Sequence, residues 1–194
     1  MMRGSSVAIA PRLAGTIDLQ ISDPVTMLNE VARRYETTER VLMEYVDNSL
    51  DDAEVLYRAH NETYPYDIHI EVVLDVEQRA VTVLDNCRGM TKEGLERTVR
   101  NVGESHKRGL PWVNGRFGFG VHSFRAAAET LHFFTCGQDS PPLTLELSRY
   151  QHQGIKEARR SAEPFPTETG TIVTIRDFDP DWFEHVSVES IKQE

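Results

Sequence analysis

The chain has 194 residues, 39% of them hydrophobic, which is enough for one compact domain with a sizeable core. Its 31 acidic against 21 basic residues give a formal charge of −10, a field that repels phosphate backbones and disfavours direct nucleic-acid binding by this domain. The two cysteines, Cys87 and Cys136, have neither zinc nor disulfide spacing, and no apolar run approaches the roughly 18 residues a membrane span needs, so a cytoplasmic protein without membrane segments is expected.

Residues 1–20 read as a loose arm or short edge strand, and 21–194 as a single domain. Asp23 can cap a helix and Pro24 suits its first turn; Met27, Leu28, Val31 and Tyr35 then recur at helical spacing, so the first helix is predicted to run to about Tyr35. Thr37-Thr38 breaks it. Glu39–Arg58 resumes the same period, with Leu42, Tyr45, Val46, Ser49 and Ala53 on one broad side and Glu44, Asp47, Asn48, Asp51 and Asp52 on another. Asp67–Leu84 reads as a strand pair around a turn at Asp75–Gln78, and Lys92–Val102 as a helix. Gly103–Gly120 has five glycines and no period, which predicts a long loop. A helix over Val121–Ala128 and strands over Thr130–Cys136 and Leu143–Leu147 follow. Gln151–Thr169 is a polar, basic excursion, and Thr171–Ile175 a last strand. Asp181 with Glu184 suggests a capping box opening a short helix at Trp182–Val186. This order predicts an α+β fold: a two-layer sandwich whose mixed, mostly antiparallel sheet is covered on one side by helices. The polar end at Glu194 fits either the tail of a short protein or the N-terminal fragment of a longer one.

Glu44 and Asn48 are four apart and share a helix face. Such a pair is either ordinary solvated surface or a site for phosphoryl chemistry. In the second case the amide oxygen of Asn48 joins a Mg²⁺ shell that phosphates complete, the Glu44 carboxylate holds an attacking water, and Asp47 and Asp51 buttress the metal. Asp85 ends the buried run Val81–Leu84 and opens a turn through Gly89 and Met90. There it either accepts turn amides or accepts the exocyclic amine of adenine, a geometry that would reject guanine. Gly89 would let the backbone approach a flat base, and Met90 serves as pocket wall or core filler.

Gly115, Gly118 and Gly120 lead into the helix at Val121, where converging amides could meet phosphate oxygens. Phe117 and Phe119 would tuck into the core between them. Upstream, Gly103, Ser105 and Lys107 form a second segment able to close over phosphates. No Gly-Lys-Ser or Gly-Lys-Thr follows the glycines, which excludes the phosphate loop of that kind, and their position in the chain argues against a dinucleotide fold. The basic groups Arg97, Arg100, Lys107 and Arg108, and Lys156, Arg159 and Arg160, read as solvated surface, the first also as phosphate-facing. No histidine pair has ligand spacing.

Taken in order, these motifs resemble the Bergerat-type ATP-binding domain shared by DNA gyrase B subunits, the clamp-forming heat-shock chaperone, histidine kinases, MutL proteins and the MORC family. The likeness spans about Leu42 to Ile175 and is strongest to the clamp-forming branch. It implies that Glu44 is the general base, Asn48 the magnesium ligand and Asp51 an aid to the site. Asp85, Gly89 and Met90 form the adenine end, and Gly115, Gly118, Gly120 and Val121 the glycine motif. Gly103, Ser105 and Lys107 belong to the lid, with Lys107 reaching the γ-phosphate, and Thr171 in Gly170-Thr171-Ile172-Val173 lies near adenine. ATP and Mg²⁺ are the implied cofactors; slow ATP hydrolysis as a conformational switch is the implied activity. A histidine-kinase or anti-sigma-like protein kinase and a non-catalytic nucleotide-binding module are the alternatives. Implied partners are a second copy, docked through the ATP lid and N-terminal arm, and a downstream transducer domain. Cys87 stands where the family usually has glycine, and a side chain there implies a reshaped turn or a tighter adenine pocket.

Overall fold

The computed structural model describes residues 21–100, 102, 119–151, 156–184 and 186–192. The expected N-terminal arm and the stretch from Gly103 to Gly118 lie outside these residues.

Helix α1 (Pro24–Ala32) starts as its sequence dictates, with the Asp23 carboxylate accepting from Thr26 N at 3.0 Å and proline at the first position. It ends at Ala32, so Tyr35 falls in the connection to α2 rather than on the helix. Thr37 then caps α2 (Thr38–Ala59), accepting from Arg40 N at 3.3 Å.

Among the described residues six strands follow: β1 (Ile70–Asp75), β2 (Ala80–Asp85), β3 (Ala128–Cys136), β4 (Leu143–Ser148), β5 (Arg159–Arg160) and β6 (Gly170–Phe178). They form one sheet in the order β1-β2-β6-β3-β4-β5, and every pairing is antiparallel. The two-residue β5, inside what reads as an irregular excursion, lengthens the sheet at its exposed edge.

Register lines up three apolar or functional rows on the buried face. Val81, Ile175, Leu131 and Leu147 make one row, and Val83, Val173, Phe133 and Leu145 the next. Asp85, Thr171, Thr135 and Leu143 make the third. Because side chains alternate along a strand, these residues share one face, and the helices cover it. Helix α2 packs on β1 and β2, while α3 (Lys92–Arg100) and α1 meet the sheet through the segment before β3. The result is the expected two-layer α+β sandwich, with every pairing among the described residues antiparallel.

Two local expectations are corrected. The helix expected at Val121–Ala128 is a 3-10 helix over Gly120–Ala126, and Ala128 already belongs to β3. The buried hydroxyl of Tyr45 donates to Val121 O at 3.1 Å and accepts from Phe124 N at 3.2 Å, which pins this segment to α2. The helix expected at Trp182–Val186 is α4 (Pro180–Phe183), with no side-chain cap. The carboxylate of Asp179, at its cap position, is taken instead by Arg149 Nη1 at 2.7 Å. The capping box opens α5 (Val188–Ile191), built from Ser187 and Ser190.

Candidate functional site

Glu44, Asn48 and Asp51 lie within about 60° of one another around α2, at 100° per residue. Glu44 and Asn48 are half-buried and Asp51 is buried, so this face of the helix is turned partly inward rather than to bulk water. Glu44 is held on two sides. Tyr35 donates its hydroxyl to Glu44 Oε1 at 2.9 Å, and Gly120 sits so close that a Cβ there would lie 2.3 Å from Oε2. Tyr35 pays for that contact in acidity: burial, then the Glu44 charge, push its phenol well above the usual range. A side chain at position 120 would displace the carboxylate from this place, a constraint that motif reading alone does not supply.

One position after Asn48, Ser49 points the other way and donates to Asp85 Oδ2 at 2.7 Å. The other oxygen, Oδ1, accepts from Cys87 N at 3.0 Å and from Thr171 N at 3.2 Å. Burial raises the Asp85 pKa, and these three donors work against that rise. The helix bearing Glu44 and Asn48 is thus tied directly to the end of the sheet bearing Asp85.

The row continues across the strands. Thr171 Oγ1 is 3.0 Å from Thr135 Oγ1, which also donates to Gly170 O at 2.8 Å and accepts from Met90 N at 3.0 Å. Thr169 donates to Cys87 O at 2.6 Å. Ser49, Thr135, Thr169 and Tyr35 were not singled out by sequence as site residues; Ser49 and Tyr35 read as positions on the apolar side of their helices. Their contacts depend on strand register and on the α1–α2 connection, which no local pattern announces.

Gly89 has φ +63°, and a Cβ there would lie 1.9 Å from Cys136 O. Its glycine is demanded by a left-handed backbone wedged against β3, a reason independent of any bound base. Met90 packs against the main core. Cys87 resolves the departure from the family pattern: it has an ordinary negative φ, is fully buried, and packs with Ala53, Leu56 and Ile68 between α2 and the start of the sheet. The thiol is accommodated in that cluster, and burial pushes its pKa far up. Asp52 serves as an anchor: its carboxylate takes Arg88 N at 2.9 Å, Nε at 2.8 Å and Nη2, clamping the turn after β2 onto α2.

Gly103, Ser105, Lys107, Gly115 and Gly118 lie outside the described residues, while Gly120 and Val121 begin the 3-10 helix. Among the described residues there is no group of three or more His, Cys, Asp or Glu side chains able to hold a metal ion, and no helix long and apolar enough to cross a membrane. The donors near Asn48 are all oxygens, which suits Mg²⁺ bound through one or two protein ligands with phosphates supplying the rest.

A family model described as "Histidine kinase-, DNA gyrase B-, and HSP90-like ATPase" matches residues 35–172, from Tyr35 to the strand carrying Thr171. No curated protein matches the chain.

Proposed function

The chain belongs to the family of histidine kinase-, DNA gyrase B- and HSP90-like ATPases, which makes it an ATP-binding domain, and we propose that it holds ATP with Mg²⁺ and hydrolyses it slowly as a conformational switch. The observation that carries this reading is the Ser49–Asp85 bond, which ties the face of α2 bearing Glu44 and Asn48 to the strand end bearing Asp85 and Thr171. In this reading Asp85 Oδ2, with one protein donor against two on Oδ1, accepts the adenine amine, and Thr171 lines the same end. Guanine presents an acceptor at that position and is rejected.

Asn48 is the metal ligand, with Asp51 beside it; Mg²⁺ would supply charge neutralisation at the phosphates. Glu44 holds the attacking water and takes its proton, oriented by Tyr35 and confined by Gly120. Gly103, Ser105, Lys107, Gly115 and Gly118 belong to the lid over the phosphates, with Lys107 the cation toward the γ-phosphate. Turnover is slow in the isolated chain because completing that lid falls to a second copy, through the lid and N-terminal arm, or to a transducer domain.

Incubation with γ-labelled ATP tests this against the two other readings. Free phosphate that requires Mg²⁺ and Glu44 is expected. Label appearing on protein instead would establish a kinase of the histidine-kinase or anti-sigma kind. Bound nucleotide that is never cleaved would leave a non-catalytic module.

A further inference from the structure

Arg125, in the 3-10 helix, is only 3% exposed, and a cation this deep normally has an acid beside it. Here its partners are neutral. Nη1 donates to Asn29 Oδ1 and to Arg149 O, both at 3.2 Å, and Nε donates to His122 Nδ1 at 3.4 Å. The imidazole is fixed as an acceptor at that nitrogen because its Nε2 lies 3.0 Å from Val99 O, to which it donates. Burial pulls His122 down to about 4, so it stays neutral, and pulls Arg125 down to about 10, which leaves the guanidinium charged at neutral pH. Among the described residues no carboxylate pairs with Arg125, and its Nη2 has no protein acceptor; the nearby Arg149 already has Asp179.

Arg125 also lines a cavity of about 480 Å³ between α1, α3 and the end of β4. Its walls are largely apolar, with Val25, Leu28, Val99 and Leu147 among them. Glu96 and Glu157 at its border are engaged with Lys92, and Glu96 also accepts from Ala158 N at 3.1 Å. The Leu147 row lies four residues along the sheet from the Asp85 row, about 13 Å, and three strands over. This cavity is therefore separate from the adenine end. Arg100, Ser148, Gln151 and Lys156 also line it, nearer the surface, and Arg125 is its one buried cation among the described residues. Its volume and mostly apolar wall, with a few polar groups, match the make-up of small-molecule sites.

We propose that this cavity is a second binding site, for an amphipathic monoanion: an apolar chain or ring in the hollow, with its carboxylate on Arg125 Nη2. The carboxylate supplies the counter-charge that the described residues do not, in a charge-assisted bond formed away from bulk water. The apolar body removes the walls from water.

Titration calorimetry of the full chain with octanoate and with 1-octanol tests this, with and without saturating ADP. Octanoate is expected to bind at least tenfold more tightly than octanol, and ADP to leave that preference unchanged. Arg125→Met should erase the preference by weakening octanoate alone. Val25→Phe, which fills the hollow without touching Arg125, should abolish binding of both while circular dichroism and ADP binding stay as in the parent. If Arg125→Met does not fold, Val25→Phe and the octanoate-to-octanol ratio decide. No octanoate binding, equal binding of the two probes, full binding to Val25→Phe, or displacement by ADP would each overturn the proposal.

Discussion

Asp85→Asn separates recognition from folding, because the carboxylate's surroundings are asymmetric. Oδ1 accepts from two backbone N–H groups, of Cys87 and Thr171, neither of which can reverse its role. Among the described residues Oδ2 accepts only from the Ser49 hydroxyl, which can rotate to accept instead. An asparagine therefore keeps its oxygen at the Oδ1 position and its NH₂ at the Oδ2 position, donating to Ser49. All three protein contacts survive, and the cost of burying a charge disappears, so stability should stay within about 1 kcal/mol of the parent. The adenine amine, however, would meet a donor where it had met a charged acceptor. Losing a hydrogen bond to a charged group costs roughly 1.5–3 kcal/mol, a weakening of about 10- to 150-fold. Titration calorimetry with ADP and Mg²⁺, beside urea unfolding of both proteins, measures the two effects together. A folded Asp85→Asn chain that binds ADP as tightly as the parent, or a parent that binds GDP equally well, would refute the role given to Oδ2.

Glu44→Ala should lower ATP turnover by about a hundredfold or more while ADP affinity is retained, as a phosphate-release assay would read. Tyr35→Phe should cost about fivefold in turnover, the worth of one hydrogen bond orienting Glu44. Gly120→Ala should behave like a weak Glu44 variant, since its Cβ would lie 2.3 Å from Oε2 and displace the carboxylate; unchanged turnover would show that Glu44 moves without consequence. Gly89→Ala should destabilise by about 2 kcal/mol or more, because the obstacle is the backbone of Cys136 and φ is positive; its urea midpoint measures this. His122 contributes an acid sensitivity. Its folded pKa lies near 4, below the unfolded 6.5, so between those values the unfolded chain takes up a proton that the native one refuses. Stability should therefore fall as pH drops through that window, by about 3 kcal/mol in full, while Asp85, raised by burial, works in the opposite sense. Comparing urea midpoints at pH 7.5 and 5 isolates the histidine: His122→Gln keeps a donor for Val99 O and an acceptor for Arg125 Nε, and should flatten the dependence.

Local chemistry was enough to recognise most of the elements and the order of the motifs. Helical periodicity, the Asp23 cap, the break at Thr37-Thr38 and the alternating β-branched runs act within a few residues, so α1, α2, α3 and the strands β1 to β4 and β6 are legible in the sequence. The spacing of Glu44 and Asn48, and the strand ending at Asp85, are local in the same way. What only the tertiary structure decided depends on register and on partners far away in the chain. Two antiparallel pairings set Asp85, Thr171 and Thr135 in one row, which joins residues 85, 171 and 135 that no sequence window spans. The segment after the glycine motif is a 3-10 helix pinned to α2 by the Tyr45 hydroxyl, although its apolar spacing favours an α-helix. Ending α1 at Ala32 frees Tyr35 to reach Glu44, and the same long-range packing gives Gly120 and Gly89 their reasons, a carboxylate in one case and a strand's backbone in the other. Side-chain type and period are written along the chain, but a hydrogen bond between distant residues exists only once the sheet has fixed who stands opposite whom.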